Sequence, residues 1–213
     1  MKTKAMADLW LDLLRDANPH PLPATLPSWP DRSALLPSLC GALLGDMFIL
    51  ETRDDQARFR LAGTRICDLH GQELRGHEFG ERFELAEREL LQGWATDLHA
   101  DEGMVLISSR GSTEAGETVP LETLLMPLSL GERDGERVAG ITTPGAAPYW
   151  LGSTPIVHER LLSTRLLRPW RDSIAGDHPR RIASAPPLAT PEPVAGRQVR
   201  HLRVLAGGKD RTI

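Results

Sequence analysis

The residue types that could do chemistry lie scattered in this sequence. The two serines at 108–109 are followed by Arg-Gly and lack the Gly-x-Ser-x-Gly spacing that holds a nucleophilic serine in a strained turn. Gly41 and Gly45 stand without the further glycines of a phosphate-binding loop and predict only a helix end. The acidic residues at 54–55 and 84–89 predict a turn and a solvated helix face. We therefore predict no catalytic residues and a protein that is not an enzyme.

Cysteine and histidine residues show no ligand spacing either. Cys40 and Cys67 are too few for a disulfide framework, and neither belongs to a Cys-x-x-Cys pair. His70 and His77 flank glycine-rich turns without a Cys or His partner at metal-binding spacing. His99 has acidic residues on both sides, which predicts a solvated helix end. The sequence thus predicts no metal site and two reduced thiols, the usual state in the cytoplasm.

Charge and hydropathy bear on two further classes of protein. The formal net charge of the 213 residues is −4, so the chain has no general attraction to nucleic acid or to an anionic membrane. No stretch approaches the ~18 consecutive apolar residues of a membrane span, and no apolar run follows the first lysines as in a signal peptide. We therefore expect a cytoplasmic protein with no membrane insertion.

The elements that must position these residues begin with an amphipathic helix. Its apolar residues follow the spacing of one helix face: Met6, Leu9, Trp10, Leu13 and Leu14. The prolines within residues 19–30 predict an extended connector, and a second short helix is expected from about Asp31 to Leu44. We assign residues 1–45 to this N-terminal part.

The central block, residues 46–152, combines strand patterns with one long helix at 83–98. The strands are expected at 47–51, 58–62, 104–108, 119–130 and 137–143. Pro127 indicates an edge position or a bulge in the fourth strand. Because the hairpin connections leave no room for helical crossovers, the five-stranded sheet must be mainly antiparallel. The sequence predicts an α+β fold with helices on one face of this sheet.

Two segments of the central block resemble a PAS core, in which a strand leads to a short helical run ending in Gly. They are Phe59–Thr64 and Leu69–Gly76. Further segments match, in order, a bacterial family of short, stand-alone PAS signalling proteins: 30–32, 35–37, 122–128, 140–144 and 148–152. The resemblance covers about residues 5–152. It implies a PAS-like fold and a non-catalytic sensory or regulatory protein that acts through contacts with a signalling partner.

The resemblance also implies where a small ligand would bind, namely between the sheet and the helices. The expected lining is apolar: Phe48, Leu61, Ile66, Leu69, Leu91, Trp94, Leu106 and Leu125. Simple packing of a small core is the alternative for these side chains. We predict no cofactor, because Cys67 lacks the surrounding sequence of a flavin photosensor of this fold and His99 lies among polar residues unsuited to haem. The identity of any small ligand stays open.

PAS proteins commonly dimerise through flanking helices, so the resemblance implies a homodimer. The apolar face of the first helix, residues 6–14, then packs either on the sheet of its own chain or on a second copy.

Residues 153–170 are expected to form a flanking segment, and residues 171–213 a disordered tail. The tail holds eight basic and four acidic residues. Arg197, Arg200 and Arg203 recur at every third position, as a row of contacts to a phosphate backbone would. A nucleic-acid-associated protein is therefore the rival interpretation, although the tail has no aromatic residues interleaved for base stacking.

Overall fold

The elements of the chain are taken from a computed structural model, which describes residues 2–18, 28–100, 103–130, 136–168 and 181–182. Within these ranges the α-helices are α1 Lys2–Ala17, α2 Pro37–Cys40, α3 Thr64–His70 and α4 Leu85–Asp97. The strands are β1 Met47–Arg53, β2 Gln56–Ala62, β3 Met104–Ser112, β4 Thr118–Leu128, β5 Glu136–Pro144, β6 His158–Leu167 and β7 Arg181–Ile182. Short 3₁₀ turns cover Arg32–Ala34 and Gly41–Asp46.

All the strands join one antiparallel sheet in the order β2-β1-β5-β4-β3-β6-β7. The predicted α+β class and its antiparallel sheet are confirmed. The sheet is larger than predicted, because β6 forms within the expected flanking segment 153–170 and pairs along the whole of β3. The two residues of β7 extend it slightly. The rest of the predicted tail lies outside the described residues.

The hairpin of β1 and β2 lies at one edge of the sheet. Its turn contains Asp54 and Asp55 with φ of 52° and 58°, a left-handed pair that short hairpin turns require. The outer edge of β2 is partly covered by residues 76–79. Phe59 N–H donates to the His77 carbonyl at 2.9 Å, and Phe79 N–H donates to the Ala57 carbonyl at 2.9 Å. This segment therefore satisfies backbone groups that an edge strand would otherwise expose.

One face of the sheet, here called the front face, is covered by α3, residues 71–83 and α4. Its core includes Ile66 from α3 and Leu91, Trp94 and Leu98 from α4. Rings from β1, β2 and the covering segment meet there, since the centroids of Phe48 and Phe59 lie 5.3 Å apart and Phe79 packs on both. These are the helices on one face that the sequence predicted.

The opposite or back face is covered by α1. Met6, Trp10 and Leu14 have no exposed surface and pack on strand residues such as Met126. The indole N–H of Trp10 donates to the carbonyl of Pro127 at 3.0 Å. The apolar face of α1 thus packs on the sheet of its own chain, one of the two partners that the sequence left open.

Of two local predictions, that of a second helix was wrong, and the edge position of Pro127 holds only at that residue. The second helix expected at 31–44 is broken into α2 and two 3₁₀ turns, because Pro37 begins a new helical turn and Gly41 has φ of 48°. The fourth strand as a whole is central, since β4 lies between β3 and β5, but at Pro127 itself it has a neighbour only on the β5 side. The pairing of β4 with β3 ends at Leu125. Pro127 is tolerated because no backbone N–H is needed there to bond to β3.

Candidate functional site

A cluster of polar side chains lies under the cover of the front face. Arg82 Nε–H donates to Nδ1 of His70 at 2.7 Å, and Arg82 Nη2 donates to the His70 carbonyl at 3.3 Å. Nε2 of His70 lies 3.9 Å from a carboxylate oxygen of Glu159. The other carboxylate oxygen of Glu159 accepts from Ser109 Oγ at 3.1 Å. These four side chains therefore form a row of polar groups from the cover of the sheet into the sheet itself, joined by hydrogen bonds except between His70 and Glu159.

Local structure explains why these four side chains meet. His70 is the last residue of α3, which stops at Gly71 with the left-handed φ of 65° that glycine adopts readily. The pairing of β6 with β3 places Glu159 opposite Gly111, one diagonal step from Ser109. The Glu159 N–H donates to the carbonyl of Arg82 at 3.0 Å, which fixes the covering segment to β6.

Burial changes the protonation of both acidic and basic members of the cluster. The side chains of His70 and Glu159 are only 9% and 11% exposed. Burial, together with the positive charge of Arg82, lowers the pKa of His70 to about 4. Burial raises the pKa of Glu159 to about 7, against the opposing effects of the Ser109 hydrogen bond and of Arg82. His70 is therefore neutral near pH 7, and because its Nδ1 accepts from Arg82 its proton lies on Nε2.

A small cavity lies beside this cluster, between the sheet and its helical cover. Its volume is about 40 Å³. Its lining combines aromatic and aliphatic side chains, such as Phe59 and Leu91, with the polar cluster and a hydroxyl pair. In that pair, the Oγ1 atoms of Thr123 and Thr142 lie 2.8 Å apart. A water needs ~10–15 Å³ by this kind of measure, so the cavity accommodates a few waters or a small chemical group.

An open cleft of about 1030 Å³ leads from the surface to the same cluster. Five residues line both the cavity and the cleft and form the boundary between the two: Glu78, Glu81, Arg82, Phe83 and Glu159. The cleft contains five arginines: Arg58, Arg75, Arg82, Arg88 and Arg160. Its glutamates are Glu78, Glu81, Glu84 and Glu159. A ligand in the cleft would thus contact a charged surface with arginine in excess.

A family model described as PAS domain matches residues 2–143. The chain belongs to the PAS domain family. No curated protein matches the sequence. The match includes α1 and the strands β1 to β5, whereas Glu159 and β6 lie beyond it.

The apolar residues predicted to line a pocket of the PAS domain do not all lie together. Phe48, Ile66, Leu91, Trp94 and Leu125 belong to the front-face core. Of these five, Ile66 and Leu91 line the cavity.

The other three pocket candidates lie elsewhere. Leu61 is 47% exposed near the sheet edge, Leu69 packs with Trp150 in a separate cluster, and Leu106 packs on the back face. Leu106 falls outside the pocket because strand alternation directs it away from the front-face core. Leu61 falls outside it because a β-bulge at Arg60 pairs Leu61 with Ile49 of the back face, although it lies two residues after the front-facing Phe59.

The polar cluster was missed by reasoning from the sequence. The one available signal was His70 directly before Gly71, which marks a helix end under the predicted PAS pocket. Arg82 carried no pattern of its own, and Glu159 lies in the segment expected to flank the domain. Only the long-range pairing of β6 with β3 brings Glu159 to His70.

His99, Cys40 and Cys67 lie apart from the cavity of the PAS domain. His99 Nε2 bonds to the carbonyl of Leu128 at 3.0 Å, and its ring packs edge-on against Trp29. Cys40 is buried and Cys67 half-buried, and burial raises the pKa of both thiols. Among the described residues, no group of His, Cys, Asp and Glu has the arrangement of a metal site. No helix of the described part is long and apolar enough to cross a membrane.

Proposed function

We propose that this PAS protein is a non-catalytic regulatory protein that acts by contacting a signalling partner, and that a small ligand in the front-face layer changes those contacts. PAS domains generally serve sensory and regulatory roles. The main support for the proposal is that the cavity and the cleft share lining residues and so adjoin each other. The helical cover of the sheet opens to solvent where a buried polar cluster lies beneath it.

The cover is connected in a way that transmits a change at the cleft. Gln92 of α4 accepts from the Ala57 N–H at 2.6 Å and donates to the carbonyl of Phe79 at 2.6 Å. This one side chain therefore joins α4, β2 and the covering segment. A ligand that displaces residues 78–83 must also strain or move α4, because the buried donors and acceptors need these partners. Movement of α4 changes the surface offered to a partner.

A homodimer is part of the same proposal. The apolar face of α1 is used within the chain, so it does not supply the interface. A different apolar surface, here called the leucine patch, consists of Leu36, Leu39, Leu44 and Leu61. These side chains are 43–52% exposed, and three of them line a groove of about 430 Å³ next to the sheet edge. A second copy burying its own leucine patch here would remove both from water.

Site-specific photocrosslinking in the source cells tests the contact with a partner. A crosslinking residue replaces Leu85, which is exposed on α4, and a control replaces Glu114, which is exposed in the β3–β4 turn. We expect a protein captured from position 85 and not from 114. Once purified, that protein should bind the wild-type chain saturably and bind Gln92→Ala about tenfold more weakly.

Two results would count against the regulatory function. One is that no protein captured at α4 binds the purified chain. The other is turnover of a small molecule by the chain alone, which would make it an enzyme.

A further inference from the structure

Arg82 presents a fixed guanidinium edge to the cleft. Its Nε and Nη2 are both engaged by His70, at 2.7 and 3.3 Å, so the orientation of the planar group is set from the buried side. Among the described residues, Nη1 has no hydrogen-bond partner. Because Arg82 lines the cleft as well as the cavity, this edge lies where an entering molecule would meet it. The outward edge consists of Nη1 and the second hydrogen of Nη2. Two such N–H donors side by side match the two oxygens of a carboxylate.

Some arginines of the cleft form no ion pair with a glutamate or aspartate of the described residues. Arg58 pairs with Glu78 at 2.7 Å, which satisfies one arginine. Arg75, Arg82 and Arg160 form no ion pair with an acidic side chain in the described ranges. This is unusual in its surroundings, since residues 1–170 carry a net charge of −8, from −4 for the chain and +4 for residues 171–213. The cleft is thus a local site of anion attraction on an acidic body.

Glu159 lies at the inner end of the cleft and sets the charge that a ligand would meet. Ser109 from β3, His70 from α3 and Arg82 from the cover face its carboxyl group. Glu87 and Arg88 of α4 lie nearby, with Glu87 accepting from the Leu161 N–H at 3.3 Å. His158 and Arg160 are its neighbours on β6. Two further glutamates, Glu78 and Glu81, line the same junction, where Glu78 pairs with Arg58 and Glu81 contacts His77 at 3.0 Å. When Glu159 is protonated, the five arginines of the cleft face three ionised glutamates, so the surface around Arg82 carries a net positive charge.

We propose that the cleft binds a small organic monocarboxylate whose two oxygens pair with the outward edge of Arg82. This inference rests on the proposed function, for which it names the ligand class. A single guanidinium and a neutral Glu159 match one negative charge better than the two of a phosphate. The short apolar part of the ligand packs against Phe83 and Phe79 and reaches toward the cavity of about 40 Å³.

Binding should take up protons on Glu159. The pKa of Glu159 is raised to about 7, and a carboxylate placed beside it raises that pKa further. The affinity should therefore fall as the pH rises from 6 to 8, by up to about tenfold per pH unit above the pKa of Glu159. His77 and His158 also line the cleft, so the diagnostic comparison is between the wild type and Glu159→Gln at each pH.

Isothermal titration of the full chain with sodium propionate, pyruvate and benzoate at constant ionic strength tests the site. Propionamide serves as the uncharged control, and inorganic phosphate and sulfate as anions of other geometry. We expect saturable binding of one carboxylate per chain, no binding of propionamide, and a loss of at least about tenfold in Arg82→Gln. The matched control Arg75→Gln, on the same cleft, should change the affinity less than about threefold.

The site is overturned if no carboxylate binds saturably, if phosphate or sulfate binds as well, or if Arg82→Gln binds like the wild type. Should Arg82→Gln fail to fold, Glu159→Gln decides, because it keeps a neutral hydrogen-bonding group. It should bind at pH 8 more tightly than the wild type and with a weaker pH dependence, and an equal dependence overturns the proposal. Lack of ligand binding by the chain alone leaves the partner contact standing. If the chain binds a carboxylate and converts it to a product, the regulatory function is contradicted, whereas the proposed binding site is not.

Discussion

Glu159 and His70 make opposite contributions to stability as the pH changes. The pKa of Glu159 is raised from 4.5 to about 7, so the free energy of unfolding falls as the pH rises through that interval. The pKa of His70 is lowered from 6.5 to about 4, so the free energy of unfolding falls as the pH drops through that interval. The two effects oppose each other over most of their range, and each becomes visible when the other residue is replaced.

Replacing Glu159 with Gln removes the first of these effects. We expect the variant to gain stability relative to the wild type as the pH rises from 5 to 8, by at most about 3 kcal/mol, because Gln has no charge to bury. Urea unfolding at the two pH values measures the difference. The control is Glu84→Gln, which replaces an exposed glutamate of the same cleft and shows how much the loss of one solvated carboxylate changes stability. A stability difference between Glu159→Gln and the wild type that does not vary with pH contradicts the buried, titrating Glu159.

The functional residues were harder to predict than the core because their chemistry arises from long-range contacts. Nothing in the sequence around Glu159 distinguishes it from an exposed glutamate at the start of a strand. Its burial depends on pairing with β3, some fifty positions earlier, and on a covering segment that bonds to it through backbone atoms. His70 likewise acquires its low pKa from its burial and, second, from the charge of Arg82, which approaches across Gly71 and the following loop.

At the scale of single elements, two glycines allow a matched test. Gly140 on β5 lies directly opposite Phe48 on β1, and a Cβ at position 140 would overlap the phenyl ring. We expect Gly140→Ala to destabilise the chain by about 1–3 kcal/mol, since the ring or the strand must shift. Gly93 in α4 has open space around its Cβ position, so Gly93→Ala should stabilise by up to about 1 kcal/mol.

Thermal and urea unfolding of the two variants measures both effects. Both variants add one methyl group. If the change in the free energy of unfolding has opposite signs, packing between β1 and β5 accounts for the loss and helix propensity in α4 for the gain. A Gly140→Ala variant as stable as the wild type would mean that Phe48 does not pack on β5 as described.

The helices show which part of element structure periodicity can predict. The spacing from Met6 to Leu14 predicted α1 and its apolar face, because a helical repeat is a local property. Its partner could not be predicted, since the back face of the sheet and a second copy would both bury the same residues. At residues 31–44 the apolar content predicts one helix, but Pro37 and the left-handed Gly41 interrupt it.

At the scale of the whole molecule, the leucine patch predicts the oligomeric state. We expect the wild-type chain to have twice its monomer mass by size-exclusion chromatography with light scattering. The double variant Leu39→Glu with Leu61→Glu should be monomeric, because charge placed in an apolar interface must be desolvated. Leu85→Glu, which changes a leucine that is 69% exposed on a different surface, should remain dimeric. A monomeric wild type contradicts the dimer outright.

The arrangement of the sheet also has a consequence for synthesis. The inner neighbour of β1 is β5, and their pairing joins Leu50 with Val138, about 90 residues later. At translation rates of about 5–20 residues per second, the hairpin of β1 and β2 must wait roughly 5–20 s before that neighbour leaves the ribosome. During this interval the edge of β1, with Phe48 and Ile49, has no native partner. The nascent hairpin is therefore the stage at which the chain is most open to chaperone capture or to pairing with another unfinished chain.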